Sequence, residues 1–269
     1  MHNPITPSLL LCSQSNHFSA KTTSIWCAKQ VHLFAFHSKD SHSMNECLWL
    51  ILILIHFSLT LLAFRIWGKL GLFIAAMLSI VLANIQVLKQ VTLFGLNGSM
   101  GDISYIAVYL ISDILSENYG KAMARKIVWL GIFSTLFVTI TMTISLQFIP
   151  SSYDQAQTAL STIFGFFPRI IVASLCAFGI SQSYDIVAYQ FWRHKFPSYR
   201  HIWLRNSMST LVSQFIDNAI FTSIAFIGVF PWHYIFHIFL TSCILRTLIS
   251  LIDTPFVYWS VAIKKTIKE

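Results

Sequence analysis

Acidic and amide side chains recur at helical spacing inside stretches that are otherwise apolar. Tyr109, Asp113 and Glu117 stand at i, i+4 and i+8, which aligns them on one face of a helix. Gln182, Asp185 and Tyr189 share a face in a second stretch, and Gln214, Asp217 and Asn218 cluster near the middle of a third. Arg246 and Asp253 lie two turns apart in a fourth, with Ser250 between them, and Asn84 and Gln86 add amides to a fifth. An ionisable group at the centre of a bilayer costs about 2.5–3.5 kcal/mol, so each one needs a reason to be there. Amides and Ser250 can act as hydrogen bonders between helices. The acids are harder to place in that role, because Asp185, Asp217 and Asp253 face a single arginine, Arg246. The surplus negative charge calls for a cation, a proton or a donor-rich ligand at a helix interface. Arg246 and Asp253 are expected to form an ion pair that sets packing or couples to a proton. Glu117 is expected to pair with Lys121 at i+4, and Asp113, a turn deeper, to belong to the inner gate of the site.

The elements that must carry these residues are set by composition. The chain is 55% hydrophobic and 10% charged, with a mean hydropathy of +0.66, against roughly 25% charged residues in soluble domains. From residue 47 it divides into runs of about 20 apolar residues, the length needed to span a bilayer. These fall at 47–64, 70–88, 99–117, 127–149, 169–192, 205–229 and 232–262. The expected fold is therefore an all-α polytopic bundle of about seven spans, with the last helix tilting or leaving the bilayer near Thr254-Pro255.

Orientation follows from the gaps. Arg65, Lys69, Lys121, Arg125, Lys126, Arg193, Lys195, Arg200, Arg205, Lys264, Lys265 and Lys268 fall on one face, against Lys89 and Arg169 on the other. The excess of positive charge in cytoplasmic loops puts the first face, and the C-terminus, inside. A net charge of +8 spread over short gaps in this way is a membrane pattern, not a basic stripe for nucleic acid. Residues 1–43 lie outside the pattern, with five histidines at irregular spacing and no run long enough to span. They are expected to be a disordered leader or a mis-assigned start ahead of Met44, with a transmembrane domain over 44–265 and a short cytoplasmic tail over 266–269. Cys12, Cys27, Cys47, Cys176 and Cys243 are scattered, which argues against a zinc site or a disulfide framework, and no metal or cofactor is expected. A Gly101-Asp102 and a Tyr184-Asp185 pair suggest intramembrane aspartyl proteolysis. That chemistry needs a glycine where Ser99 stands, and the two motifs occur in reversed order.

The blocks "ANIQVLKQVTLFGL" (83–96), "YLISDILSENYGKAMARKIVWLG" (109–131), "STIFGFFPRIIVASL" (161–175), "ISQSYDI" (180–186), "LRNSMSTLVSQFIDNAIFTSIAFIGV" (204–229) and "LIDTPFVY" (251–258) resemble the queuosine precursor transporter family, also called vitamin-uptake-like. The resemblance runs from about Met44 to Lys265. It implies a bacterial inner-membrane, multi-pass carrier of 7-deazaguanine compounds used to make the tRNA base queuosine, and not an enzyme. It also implies a six-helix core similar to the substrate-binding subunits of energy-coupling factor vitamin transporters, with one additional N-terminal helix. Expected partners are the small-molecule substrate and the bilayer, with no direct nucleic-acid contact. A need for a separate energising partner stays open. A 7-deazaguanine presents N1–H and a 2-amino group on one edge, a donor pair that a carboxylate can accept. Asp185 and Asp217 are accordingly expected nearest the ligand, Gln182, Gln214 and Asn218 as supporting hydrogen bonders, and Phe164, with Phe166 and Phe167, as slabs against the base.

Overall fold

The structure, a computed structural model, describes residues 20–164, 168–228 and 231–267, the side chains of 20–43, 97, 168–170 and 234 excepted. It separates into two units, Met1–Cys47 and Leu48–Glu269. In the first, residues 20–47 are helical, and the expected leader otherwise lies outside the described residues. The second contains all the polar residues discussed above.

Helix α1 (Ala20–Gln86) breaks at Gly68, whose φ of 58° and ψ of −139° are not helical. The imidazole Nε2 of His56 lies 2.9 Å from Ser79 Oγ, 23 residues on. A straight helix would hold those two residues about 34 Å apart. The chain therefore doubles back at Gly68, and the two expected apolar runs on either side of it are antiparallel limbs. An antiparallel hairpin follows, β1 (Gln90–Leu93) paired with β2 (Leu96–Ser99). Its two-residue turn, Phe94-Gly95, has positive φ at both positions, as tight hairpins prefer. This hairpin is absent from the all-helical reading of the sequence. Its β-branched Val91 and Thr92 sit in a gap too short for a helix.

The remaining helices are α2 (Gly101–Tyr119), α3 (Lys121–Ser145), α4 (Gln157–Phe164), α5 (Pro168–Lys195), α6 (Ile202–Phe226) and α7 (Trp232–Thr266). Helix α7 runs without interruption through Pro255. At 35 residues it is about 52 Å long, well beyond the ~30 Å hydrocarbon thickness. Helices α5 and α6 form an antiparallel pair. Ser181 faces Asp217 and Ser213 faces Asp185, symmetric about Tyr199 in the connecting turn.

Helix α2 is the centre of the bundle: 15 of its 19 residues are buried, and it packs on α3, α5 and α7. Its N-terminus comes so close to the end of α1 that a Cβ at Gly101 would lie 2.7 Å from the Ala83 carbonyl oxygen. Only glycine allows that approach, and it brings the next residue, Asp102, into the interior. At the other end Gly120, with φ 82°, turns the chain out of α2 and into α3.

Among the described residues, Met44–Gln86, Lys121–Ser145, Ile171–Lys195 and Ile235–Thr266 are long and apolar enough to cross a membrane. Their outer faces carry exposed Trp129, Phe133, Phe137, Phe191 and Trp259, a surface that lipid covers and water would not tolerate. This is a multi-pass membrane protein. Helices α2 and α6 fall outside that set because their polar side chains face inward: both are lined with buried serines, threonines, amides and acids. Basic residues gather at the Gly120 end of α2. Lys264 Nζ sits 4.0 Å above the Tyr119 ring, Arg193 approaches Glu117, and Phe64, near the Gly68 turn, packs edge-on against Tyr119.

Candidate functional site

The buried polar residues fall into three layers along α2. The first begins at its N-terminal end, where Asp102 stands about 17 Å along the helix from Asp113 of the second, at 1.5 Å per residue. In this first layer Arg246 of α7 donates from Nε to Asp102 Oδ1 at 2.8 Å and from Nη1 to Asp217 Oδ2 at 2.6 Å. Asp217 Oδ1 also accepts from the hydroxyls of Tyr105 at 2.6 Å and Ser181 at 3.1 Å. The Tyr109 hydroxyl donates to Ser181 Oγ at 2.9 Å. The guanidinium lies 5.1 Å from the centre of the Tyr105 ring, so the aromatic face adds to its stabilisation. A cavity of about 380 Å³ opens onto this layer, lined by Gln90, Ser99, Asp102, Asn218, Phe221 and Arg246. Its volume is typical of small-molecule sites. A smaller cavity, lined by Tyr105, Ser174 and Asp217, shares Asp102, Phe221 and Arg246 with it.

The second layer holds Asp113, Asp185 and Asp253, all fully buried. Thr210 donates to Asp113 Oδ2 at 3.0 Å, Ser213 to Asp185 Oδ1 at 2.9 Å, and Asn206 Nδ2 to Asp253 Oδ1 at 2.7 Å. Among the described residues no basic side chain forms an ion pair with any of the three. Gln182 and Gln214 come between the two layers along α5 and α6. Both are buried, and neither amide oxygen nor nitrogen has a hydrogen-bond partner.

The third layer closes the Gly120 end. Arg205, 1% exposed, donates to Glu117 Oε1 at 2.6 Å and to the Phe196 carbonyl at 2.9 Å. The Tyr189 hydroxyl donates to Glu117 Oε2 at 2.9 Å, and Arg193 adds a longer contact at 3.9 Å.

Several expectations change at this point. Arg246 and Asp253 do not pair. Two helical turns separate them by about 10.5 Å along α7, and Arg246 is taken by Asp102 and Asp217 while Asp253 is held by Asn206. Glu117 does not pair with Lys121, because Gly120 ends α2 between them and carries Lys121 into α3. Arg205, counted with the surface charges that set orientation, is an interior residue. Asp217 and Asn218 line the cavities at the first layer, whereas Asp185 and Asp113 belong to the second. Phe164 lies elsewhere, on a separate crevice of about 30 Å³ with Asn84, Val138 and Ile171. Phe166 and Phe167 lie outside the described residues. The sequence reading missed Asp102 as a partner of Arg246, although Asp102, Tyr105 and Tyr109 at i, i+3 and i+7 form one helical face and offered that signal.

A family model described as "Putative vitamin uptake transporter" matches residues 99–260, which includes every layer of the site. The chain belongs to this transporter family. It is 44% identical over 214 residues to a "Probable queuosine precursor transporter" of Bacillus subtilis (strain 168), covering 80% of this chain and 93% of that protein. It is 28% identical over 150 residues to the "Queuosine precursor transporter" of Escherichia coli (strain K12), covering 56% of this chain and 65% of that one. A "Probable queuosine precursor transporter" of Haemophilus influenzae matches at 26% over 133 residues, 49% of this chain and 54% of that one. No solved structure matches the chain. For a member of a transporter family, an interior lined with hydrogen-bonding groups and reached by a cavity reads as a place to hold cargo, with no reaction required of it.

Proposed function

We propose that this chain imports a 7-deazaguanine precursor of queuosine, or queuine itself, across the bacterial inner membrane. The observation that carries the reading is the Asp102–Arg246–Asp217 cluster on a cavity of about 380 Å³, in a chain 44% identical to a protein bearing that transporter name. The two limbs of α1, then α2, α3, α5, α6 and α7, make seven crossings. The first limb is the addition to a six-helix core of the kind found in energy-coupling factor binding subunits. The Gly120 end of α2, where the basic residues gather, faces the cytoplasm together with the C-terminus.

In this reading the base enters the cavity with its N1–H and 2-amino edge toward a carboxylate. Asp102 lines this cavity and Asp217 the smaller one beside it; either can accept that edge, Arg246 supplies a donor for the 6-oxo group, and Phe221 offers an apolar surface. Asn218 supports the entry side, and Gln182 and Gln214 supply unpaired amides between the first and second layers. A site of such groups discriminates by hydrogen bonding, since a ligand lacking the donors leaves the buried acceptors unpaired. The test is uptake of a radiolabelled precursor in cells lacking their own carrier and de novo synthesis. The cyano precursor, the aminomethyl precursor and queuine are added as competitors. Failure of all three to enter or compete would refute the assignment. Uptake by the purified chain in liposomes would show that it works without an energising partner, whereas binding without turnover would make it a substrate-binding subunit of a larger machine.

A further inference from the structure

The acids of the second layer are not needed to explain the cavity, and their surroundings are unusual. Thr210 and Ser213, which hold Asp113 of α2 and Asp185 of α5, stand three apart on one face of α6, and Asn206, which holds Asp253 of α7, stands one turn before Thr210. Each carboxyl is fully buried, and each has one oxygen satisfied and one without a donor: Asp113 Oδ1, Asp185 Oδ2 and Asp253 Oδ2. A neutral group makes the same point independently. Asn206 is fully buried and fixed to this cluster by its Nδ2 bond to Asp253, yet its Oδ1 also has no donor. Four buried acceptor oxygens beside this face of α6 thus have no hydrogen-bond donor. An ionised carboxylate only accepts, whereas a protonated one also donates. Neighbouring carboxylates buried away from water without a cationic partner do not all stay ionised.

We propose that Asp113, Asp185 and Asp253 form a proton-binding site. One proton is shared between Asp113 and Asp185 and another is held at Asp253, and the loading and unloading of this site drives transport. The driving role rests on the transporter reading above, while the protonation itself does not. The charged and titratable groups facing the cluster are accounted for from every packed helix. On α2 these are Tyr109 and Glu117, on α5 Tyr189, on α6 Arg205 and Asp217, and on α7 Arg246. Arg205 is committed to Glu117 below, and Arg246 to Asp102 and Asp217 above. Neither guanidinium forms an ion pair with the cluster.

Infrared spectroscopy of the purified full-length protein tests protonation without any substrate. A carboxylic-acid C=O band should be present at neutral pH and should be lost or weakened in Asp185→Asn and in Asp113→Asn. Absence of the band in the wild type, or its persistence unchanged in both variants, overturns the site. Coupling is tested in proteoliposomes with radiolabelled aminomethyl-deazaguanine. An inward proton gradient should raise accumulation several-fold, and Asp185→Asn should lose that response while still exchanging internal for external label when no gradient is imposed. A sodium gradient that drives uptake where a proton gradient does not, or an Asp185→Asn protein that responds to the proton gradient like the wild type, overturns the coupling. A wild-type protein that shows the acid band yet moves no 7-deazaguanine would leave the proton site standing and remove the proposed cargo instead.

Discussion

Asp217 is the hub of the first layer, and Asp217→Asn is the sharpest test of that role. Its carboxylate receives Arg246 Nη1, the Tyr105 hydroxyl and the Ser181 hydroxyl, with the side chain 3% exposed. Asparagine keeps the shape and can keep one acceptor for Tyr105 and Ser181. The other position then carries either an NH2 group that faces the guanidinium, donor against donor, or an uncharged oxygen. Removing one member of a buried ion pair costs about 3–5 kcal/mol. Here Arg246 retains Asp102, so the loss falls to about that of one charge-assisted hydrogen bond, ~1.5–3 kcal/mol. If the substrate uses the same carboxylate, binding should weaken by roughly 10- to 150-fold at about 1.4 kcal/mol per tenfold. Uptake at low ligand concentration should then be abolished, while the amount of protein in the membrane fraction stays close to that of the wild type. The assay pairs uptake of labelled precursor with immunodetection in washed membranes. Normal uptake by well-inserted Asp217→Asn protein would refute the role assigned to this carboxylate.

Tyr105→Phe removes one hydroxyl from the same carboxylate and should weaken ligand affinity by up to about 3 kcal/mol, read as a rise in the uptake KM. Phe164→Ala should leave affinity for the ligand nearly unchanged, since Phe164 lines a different crevice; a large rise in KM would restore it to the binding site. Glu117→Gln should instead act on stability. It leaves Arg205, 1% exposed, without its charged partner at a cost of about 3–5 kcal/mol, seen as a lower Tm in detergent with little change in KM for whatever protein survives. Gly120→Ala puts a side chain at φ 82° and should cost about 1–3 kcal/mol in the same melting assay.

The all-helical, membrane-spanning character was legible in the sequence because spanning length is a composition signal, although four segments among the described residues are long and apolar enough to cross against the seven expected. The Gly68 reversal, however, is invisible to hydropathy. The apolar character continues through it, and only contacts such as His56 to Ser79 show that the chain turns. The central place of α2 was half legible. Its three acids set it apart from a lipid-facing helix, yet nothing in the pattern distinguishes a helix enclosed on all sides from one polar on a single face. The hairpin over Gln90–Ser99 was missed because eight strand residues are too few to register against long apolar runs.

Partnerships were the least legible feature, and the reason is geometric. Helical spacing tells which residues of one helix share a face, but an ion pair across helices depends on how far one helix slides along another. Arg246 and Asp253 share a face of α7 and were paired on that ground, yet side chains two turns apart on one helix point to different levels of the bundle. The level of Arg246 is set by Asp102, at the very start of α2, which reaches the interior only because Gly101 lets that helix approach the end of α1. Once Arg246 is assigned to the first layer and Arg205 to the third, the second layer keeps three acids and no ion-pair partner among the described residues. The imbalance of charge read from the sequence survives in the structure, but it is now confined to one level between two closed ion-pair clusters. A bilayer-spanning protein can keep such a level only by neutralising it. The acids that looked like ligands for a donor-rich base are therefore better explained by protons, and the base by the acids one layer away.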